Sequence, residues 1–92
     1  PDVMKAFGEL ARAATTSGAL DEKTKELIAV AIAVAIRCDG CIGFHVKALV
    51  RLGATREELN EVLNMCVYLG GGPSLMYAAN VLAAFDEFSV AS

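Results

Sequence analysis

The sequence has no excess of positive charge. Its 8 Lys and Arg residues are outnumbered by 11 Asp and Glu, giving a formal net charge of −3, and the basic residues are scattered rather than gathered on a stripe. A nucleic-acid or other polyanion partner therefore has no electrostatic footprint. A long apolar run is missing too. The longest, Leu27 to Ile36, falls far short of the roughly 18–20 residues that span a bilayer, so no membrane partner is expected. No charged segment followed by an apolar stretch and a cleavage site opens the chain, which makes the cytoplasm the expected location. With 3 cysteines there is no full intrachain disulfide framework, and in a reducing compartment a Cys-x-x-Cys pair is more often catalytic or metal-binding than structural. Strand alternation, hairpin dipeptides and long-period repeats are also absent. That removes the βαβ setting a thioredoxin-type Cys-x-x-Cys requires.

What the chain has in quantity is apolar surface. Hydrophobic residues make up 55% of its 92 residues, against a usual apolar share of about 45–50%. One small domain covering residues 1–92 is expected, and a chain of this size buries its apolar surface poorly by itself. The excess therefore points to burial between subunits, that is, to a homo-oligomer.

The periodicity predicts an all-α fold, a small bundle of about five helices joined by short connections. From Asp2 to about Thr15, Val3, Met4, Phe7, Leu10, Ala11 and Ala14 recur at helical spacing, with Asp2 as a capping side chain. Thr15 to Gly18 breaks the pattern, and Asp21 with Glu22 places negative charge at the positive end of a second helix running to about Arg37. Its second half is apolar all round, which suits a core or a subunit interface. Gly40 is read as a sharp turn, followed by a third helix from Cys41 to Leu52 that Gly53 ends in the left-handed C′ position. Thr55 and Glu58 have capping-box spacing and open a fourth helix that reaches Gly70. Pro73 suits the first turn of a fifth helix reaching about Phe88, and the Val90-Ala91-Ser92 tail is expected to fray.

Chemistry is concentrated in Cys38-Asp39-Gly40-Cys41-Ile42-Gly43-Phe44-His45. On a helix, residues three and four apart are neighbours, so Cys38, Cys41 and His45 would share a stripe. A thiol attacks as thiolate, and a helix N-terminus or a nearby base favours that form. Cys41, one turn before His45, has both. Cys38 is near enough to close a disulfide with it, which needs Cα atoms about 4.4–6.8 Å apart. Glu26 is a candidate to orient the His45 ring if the second and third helices pack side by side; the alternative is a surface ion pair with Lys23 or Lys25. The main alternative for the cysteines is a structural zinc site, or zinc-stabilised interaction module, drawn from Cys38, Cys41 and His45 with Cys66 as an optional further ligand. Cys66 itself reads as a small buried hydrophobe without chemistry, and Phe44, Met76 and Tyr77 read as core rather than as cavity lining.

Glu26, Cys38, Cys41 and His45 reproduce a Glu-x11-Cys-x2-Cys-x3-His pattern. With Lys25 to Val30, His45 to Leu49 and Gly53 to Glu58 around it, the chain from about Asp21 to Phe88 resembles the alkylhydroperoxidase D-like branch of the carboxymuconolactone decarboxylase family. The resemblance implies an all-helical fold assembling as trimers or hexamers, and a thiol peroxidase or disulfide oxidoreductase without a bound cofactor or metal. Cys41 would attack a hydroperoxide and become a sulfenic acid, Cys38 would condense with it, and Glu26 with His45 would relay protons. A dithiol, such as a lipoyl group on a partner protein, would restore the thiols. Better-studied peroxidases of the branch carry a His between the cysteines, where this chain has Asp39-Gly40. The decarboxylase branch generally lacks the cysteine pair; a lactone decarboxylase, or a non-catalytic binding protein of the same fold, is the alternative reading.

Overall fold

The apolar segment after Asp21 is a helix, and the other elements are arranged around it. A computed structural model of the chain describes residues 1–91, which form α1 (Asp2–Thr15), α2 (Glu22–Ile36), α3 (Asp39–Arg51), α4 (Arg56–Gly70) and α5 (Gly72–Ala91). No strand occurs among the described residues.

The helix ends follow local chemistry. The Asp21 carboxylate accepts a hydrogen bond from the Thr24 N–H at 2.8 Å, satisfying one of the orphan donors at the start of α2. At the start of α4 the capping box closes in both directions. Thr55 Oγ1 accepts from the Glu58 N–H at 3.1 Å, and the Thr55 N–H donates to Glu58 Oε1 at 2.8 Å. Gly53 follows α3 with φ +78°, a left-handed conformation, while the Ala54 N–H bonds back to the Leu49 carbonyl at 3.0 Å.

Three boundaries depart from the sequence reading. Pro1 is the N-cap of α1 and no side chain caps that end; Asp2 is already helical. The turn between α2 and α3 is not made by Gly40. Arg37 makes it, in the left-handed region at φ 59°, and α3 starts at Asp39 with Gly40 inside its first turn. The fifth helix starts at Gly72 and has Pro73 in its first turn, as expected. α5 runs past Phe88 to Ala91, through part of the tail expected to fray; Ser92 lies outside the described residues.

The core is one cluster. Val30, Ala33 and Val34 of α2 meet Ile42, Val46 and Leu49 of α3, Leu59 and Leu63 of α4, and Ala78 and Val81 of α5. Each fully buried aliphatic side chain contributes on the order of 1.5–3 kcal/mol relative to exposure. The pattern on α2 divides cleanly: Val30 and Val34 are sealed, whereas Ile28, Ile32 and Ile36 on another face remain 45–65% exposed. α1 contributes no buried residue, and its Val3, Met4, Phe7 and Leu10 are all exposed. Lys25 Nζ donates to the Thr16 carbonyl at 2.7 Å, tying the end of α1 to α2.

Two expected core aromatics or methionines lie outside the core. Phe44 and Met76 are about 70% exposed, at 70% and 68%; the five-helix bundle has no element left to cover the sides of α3 and α5 that carry them. Tyr77 packs half-buried against the cluster.

Candidate functional site

The two-residue connection between α2 and α3 folds them back on each other as an antiparallel pair. This brings Glu26, early in α2, beside His45, in the second turn of α3. His45 Nδ1 lies 2.6 Å from Glu26 Oε2. An ionised carboxylate only accepts, so Nδ1 carries a proton, and in the neutral ring the free lone pair is on Nε2. The Glu26 side chain is 5% exposed and that of His45 25%. The carboxylate is thus buried behind the ring, which stays in reach of a ligand. Glu26 does not use the neighbouring lysines: Lys23 pairs with Glu58 at 2.9 Å, and Lys25 is held at Thr16.

Cys38 and Cys41 are joined as a disulfide with Cα atoms 5.2 Å apart. They are not on one helical stripe, as the sequence suggested. Cys38 precedes α3 as its N-cap, and its Sγ accepts from the Cys41 N–H at 3.2 Å. The reason is the left-handed Arg37, which ends α2 and lets the Cys38 N–H return to the Ala33 carbonyl at 3.0 Å. Cys41 sits in the first turn of α3, where unsatisfied N–H groups and the helix dipole favour negative charge on sulfur.

Cys41 and His45, one turn apart, open on the same hollow of about 170 Å3, completed by Ala29, Ile32, Ala33 and Ile36 of α2. Apart from the cysteine and the imidazole its wall is aliphatic. The alanines leave the space and the isoleucines give it an apolar rim. On another side, His45 and Glu26 border a larger hollow of about 530 Å3 whose wall includes Phe44, Lys47, Arg51 and Arg12. The Glu26–His45 pair therefore stands between a small apolar hollow containing Cys41 and a larger one edged by Arg12, Lys47 and Arg51.

Cys66 stands apart from the cysteine pair. It is half-buried, its Sγ points toward the Ala31 carbonyl at 3.9 Å, and burial pushes its thiol up from the ordinary range. Ala31 lies on a different face of α2 from Ala29, Ile32 and Ile36, so Cys66 does not join Cys38, Cys41 and His45. Among the described residues, no group of three or more His, Cys, Asp or Glu side chains is arranged to hold a metal ion. No described helix is long and apolar enough to cross a membrane.

The sequence reading missed four contributors. Ala29 and Ile32 line the thiol hollow, a role visible only as their helical register with Ile36. Asn80 of α5 donates to Asp39 Oδ1 at 3.5 Å from 41 residues away, and nothing in the local pattern signals it. Arg37 at the turn carries no local signature either, since left-handed residues are usually Gly or Asn.

With this geometry in hand, comparison with known proteins gives a consistent picture. The model of the carboxymuconolactone decarboxylase family matches residues 1–84. An uncharacterised protein of Cupriavidus necator is 50% identical over 89 residues, covering 97% of this chain and 79% of the relative. The crystal structure of an apo carboxymuconolactone decarboxylase family protein from Legionella pneumophila is similar with a TM-score of 0.93 and 67% identity, over 97% of this chain and 80% of that one. A Thermotoga maritima protein of the same family, described with a suggested involvement in antioxidative response, has a TM-score of 0.85 and 32% identity over 95% of this chain and 90% of its own.

Proposed function

The chain belongs to the carboxymuconolactone decarboxylase family, and from that membership and the site geometry we propose a thiol-dependent peroxidase of the alkylhydroperoxidase D-like branch. The observation that carries the reading is the shared hollow. Cys41 and His45 line it together, the ring is held by buried Glu26 at 2.6 Å, and Cys38 is already bonded to Cys41. The antioxidative description of the Thermotoga relative points the same way.

In the reduced protein, His45 Nε2 takes the Cys41 thiol proton, with Glu26 stabilising the resulting imidazolium. The thiolate attacks the terminal oxygen of a hydroperoxide. An S–O bond forms, the O–O bond breaks, and the departing alkoxide leaves as alcohol with the proton from His45. Cys41 is then a sulfenic acid. Cys38 attacks its sulfur, the S–S bond forms and water departs. An external dithiol, such as a lipoyl group on a partner protein, reduces the disulfide by exchange and is itself oxidised to a cyclic disulfide. The aliphatic wall favours an organic hydroperoxide.

The working form in this proposal is a homo-oligomer, a trimer or hexamer on the family resemblance. The exposed apolar residues of α1 and of the outer face of α2 support it, because a face of this kind associates rather than staying in water.

Steady-state turnover of cumene hydroperoxide with dihydrolipoamide as reductant tests the proposal. Cys41→Ser should abolish it, and turnover at the wild-type rate in that variant contradicts the assignment. The presence of both cysteines favours this reading over lactone decarboxylation, whose test is activity that survives loss of both Cys38 and Cys41.

A further inference from the structure

On a face of α2 away from the thiol hollow lies a second cavity, of about 300 Å3. Ala31 and Ala35 of α2, Met65 and Leu69 of α4, and Ser74 of α5 form its wall, with Cys66 and the exposed Arg37 beside them. That volume is at the lower end of the range for small-molecule sites, about 300–1,000 Å3. None of these residues enters the peroxidase chemistry.

Ser74 is what marks the cavity as a site. It is only 6% exposed, yet its hydroxyl has no hydrogen-bond partner among the described residues. The oxygen is not sealed off either, because no side-chain polar atom is both fully enclosed and unpaired; its outlet is the cavity it lines. Gly70 makes room for that hydroxyl, since a Cβ there would fall 1.9 Å from Ser74 Oγ. Arg37 is the second indication. Its backbone has φ 59°, where glycine or asparagine is adopted at lower cost, so backbone preference does not account for an arginine. Its guanidinium makes no ion pair among the described residues.

We propose that this cavity binds a short-chain aliphatic monocarboxylate, its alkyl part against Ala31, Ala35, Met65 and Leu69 and its carboxylate shared by Arg37 and the Ser74 hydroxyl. No Asp or Glu lines the cavity to repel the anion. Burial holds the Cys66 thiol in its neutral form, which likewise leaves a carboxylate unopposed. A guanidinium matches a carboxylate with two parallel N–H donors, and the unpartnered hydroxyl supplies a third. An amine of the same length meets the Arg37 charge instead, and an alcohol gains only Ser74.

Cys66 gives a direct readout, because it is the free cysteine once Cys38 and Cys41 are joined. Oxidised protein is alkylated with iodoacetamide in the presence of hexanoate, hexylamine or hexanol, Cys66 modification is followed by mass spectrometry, and hexanoate binding is measured by calorimetry. Hexanoate should bind and slow alkylation, with hexylamine inactive. Arg37→Gly, which suits the left-handed backbone, should weaken hexanoate by about tenfold or more. Ser74→Ala removes no hydrogen bond of the free protein, so it should leave thermal stability intact while weakening hexanoate several-fold. Equal protection by hexylamine, wild-type hexanoate affinity in Arg37→Gly, or a Cys66 that resists alkylation with every ligand and becomes reactive only on dilution overturns the proposal; the last outcome would mean that a second copy of the chain covers the cavity. None of these readouts depends on peroxidase turnover.

Discussion

His45 Nδ1 and Glu26 Oε2 meet at 2.6 Å although 19 residues separate them in the chain. The contact puts a proton on Nδ1, and the held ring borders the hollow that contains Cys41. Glu26→Gln keeps the shape and removes the charge. Its amide also allows the opposite ring tautomer. Peroxidase turnover should fall by about 100-fold, with helical circular dichroism unchanged. A variant with full activity would reduce this pair to a structural contact.

Gly40 is where the family's better-studied peroxidases carry a histidine. It lies in the first turn of α3, and a Cβ added there would meet nothing within 4 Å. Gly40→His should therefore fold and raise hydroperoxide turnover about tenfold by adding a second proton-transfer group. A folded variant with unchanged turnover would show that the single imidazole already suffices.

The α2–α4 contact should fail in acid. Glu58 lies below its ordinary pKa, chiefly through the hydrogen bond from the Thr55 backbone and then through Lys23, and Lys23 is correspondingly raised. For a carboxylate lowered by folding, the stabilisation is fully present above the unfolded-state pKa and is lost as pH falls through the folded value. Glu58→Gln should thus lower the melting temperature at neutral pH, and the difference from wild type should vanish below the folded pKa of Glu58. A difference that persists in strong acid would assign the effect to something other than its charge.

Size-exclusion chromatography with light scattering should give a multiple of 9.6 kDa. Phe7 is 64% exposed on a helix that buries nothing within the chain, so Phe7→Glu leaves the bundle core untouched and should shift the protein toward smaller species. A wild-type monomer at micromolar concentration would leave the apolar faces of α1 and α2 unexplained by self-association.

Much of this was legible in the sequence where the determinants are local. The apolar period, Asp21, the Thr55-to-Glu58 box and Gly53 each specify their own helix end, and the Glu26-to-His45 spacing announces a constellation. Contacts set by tertiary geometry were not legible. Arg37 makes the turn that Gly40 was expected to make, because two left-over backbone groups of α2 are satisfied there. That moves Cys38 off the stripe and into the N-cap, where its sulfur accepts from Cys41. Phe44 looked like core because sequence spacing reports a helical face but not whether another element covers it. The unpartnered Ser74 depends on Gly70 from a different helix, and no local pattern carries that information.

The central claim is that Cys41 is the sulfur that receives oxygen, and trapping it tests this most directly. Reduced Cys38→Ser protein, exposed to one equivalent of cumene hydroperoxide with dimedone present, should yield one equivalent of alcohol and a dimedone adduct mapped to Cys41 by peptide mass spectrometry. Alcohol formation with the adduct on Cys66, or no adduct and no alcohol, would contradict the account.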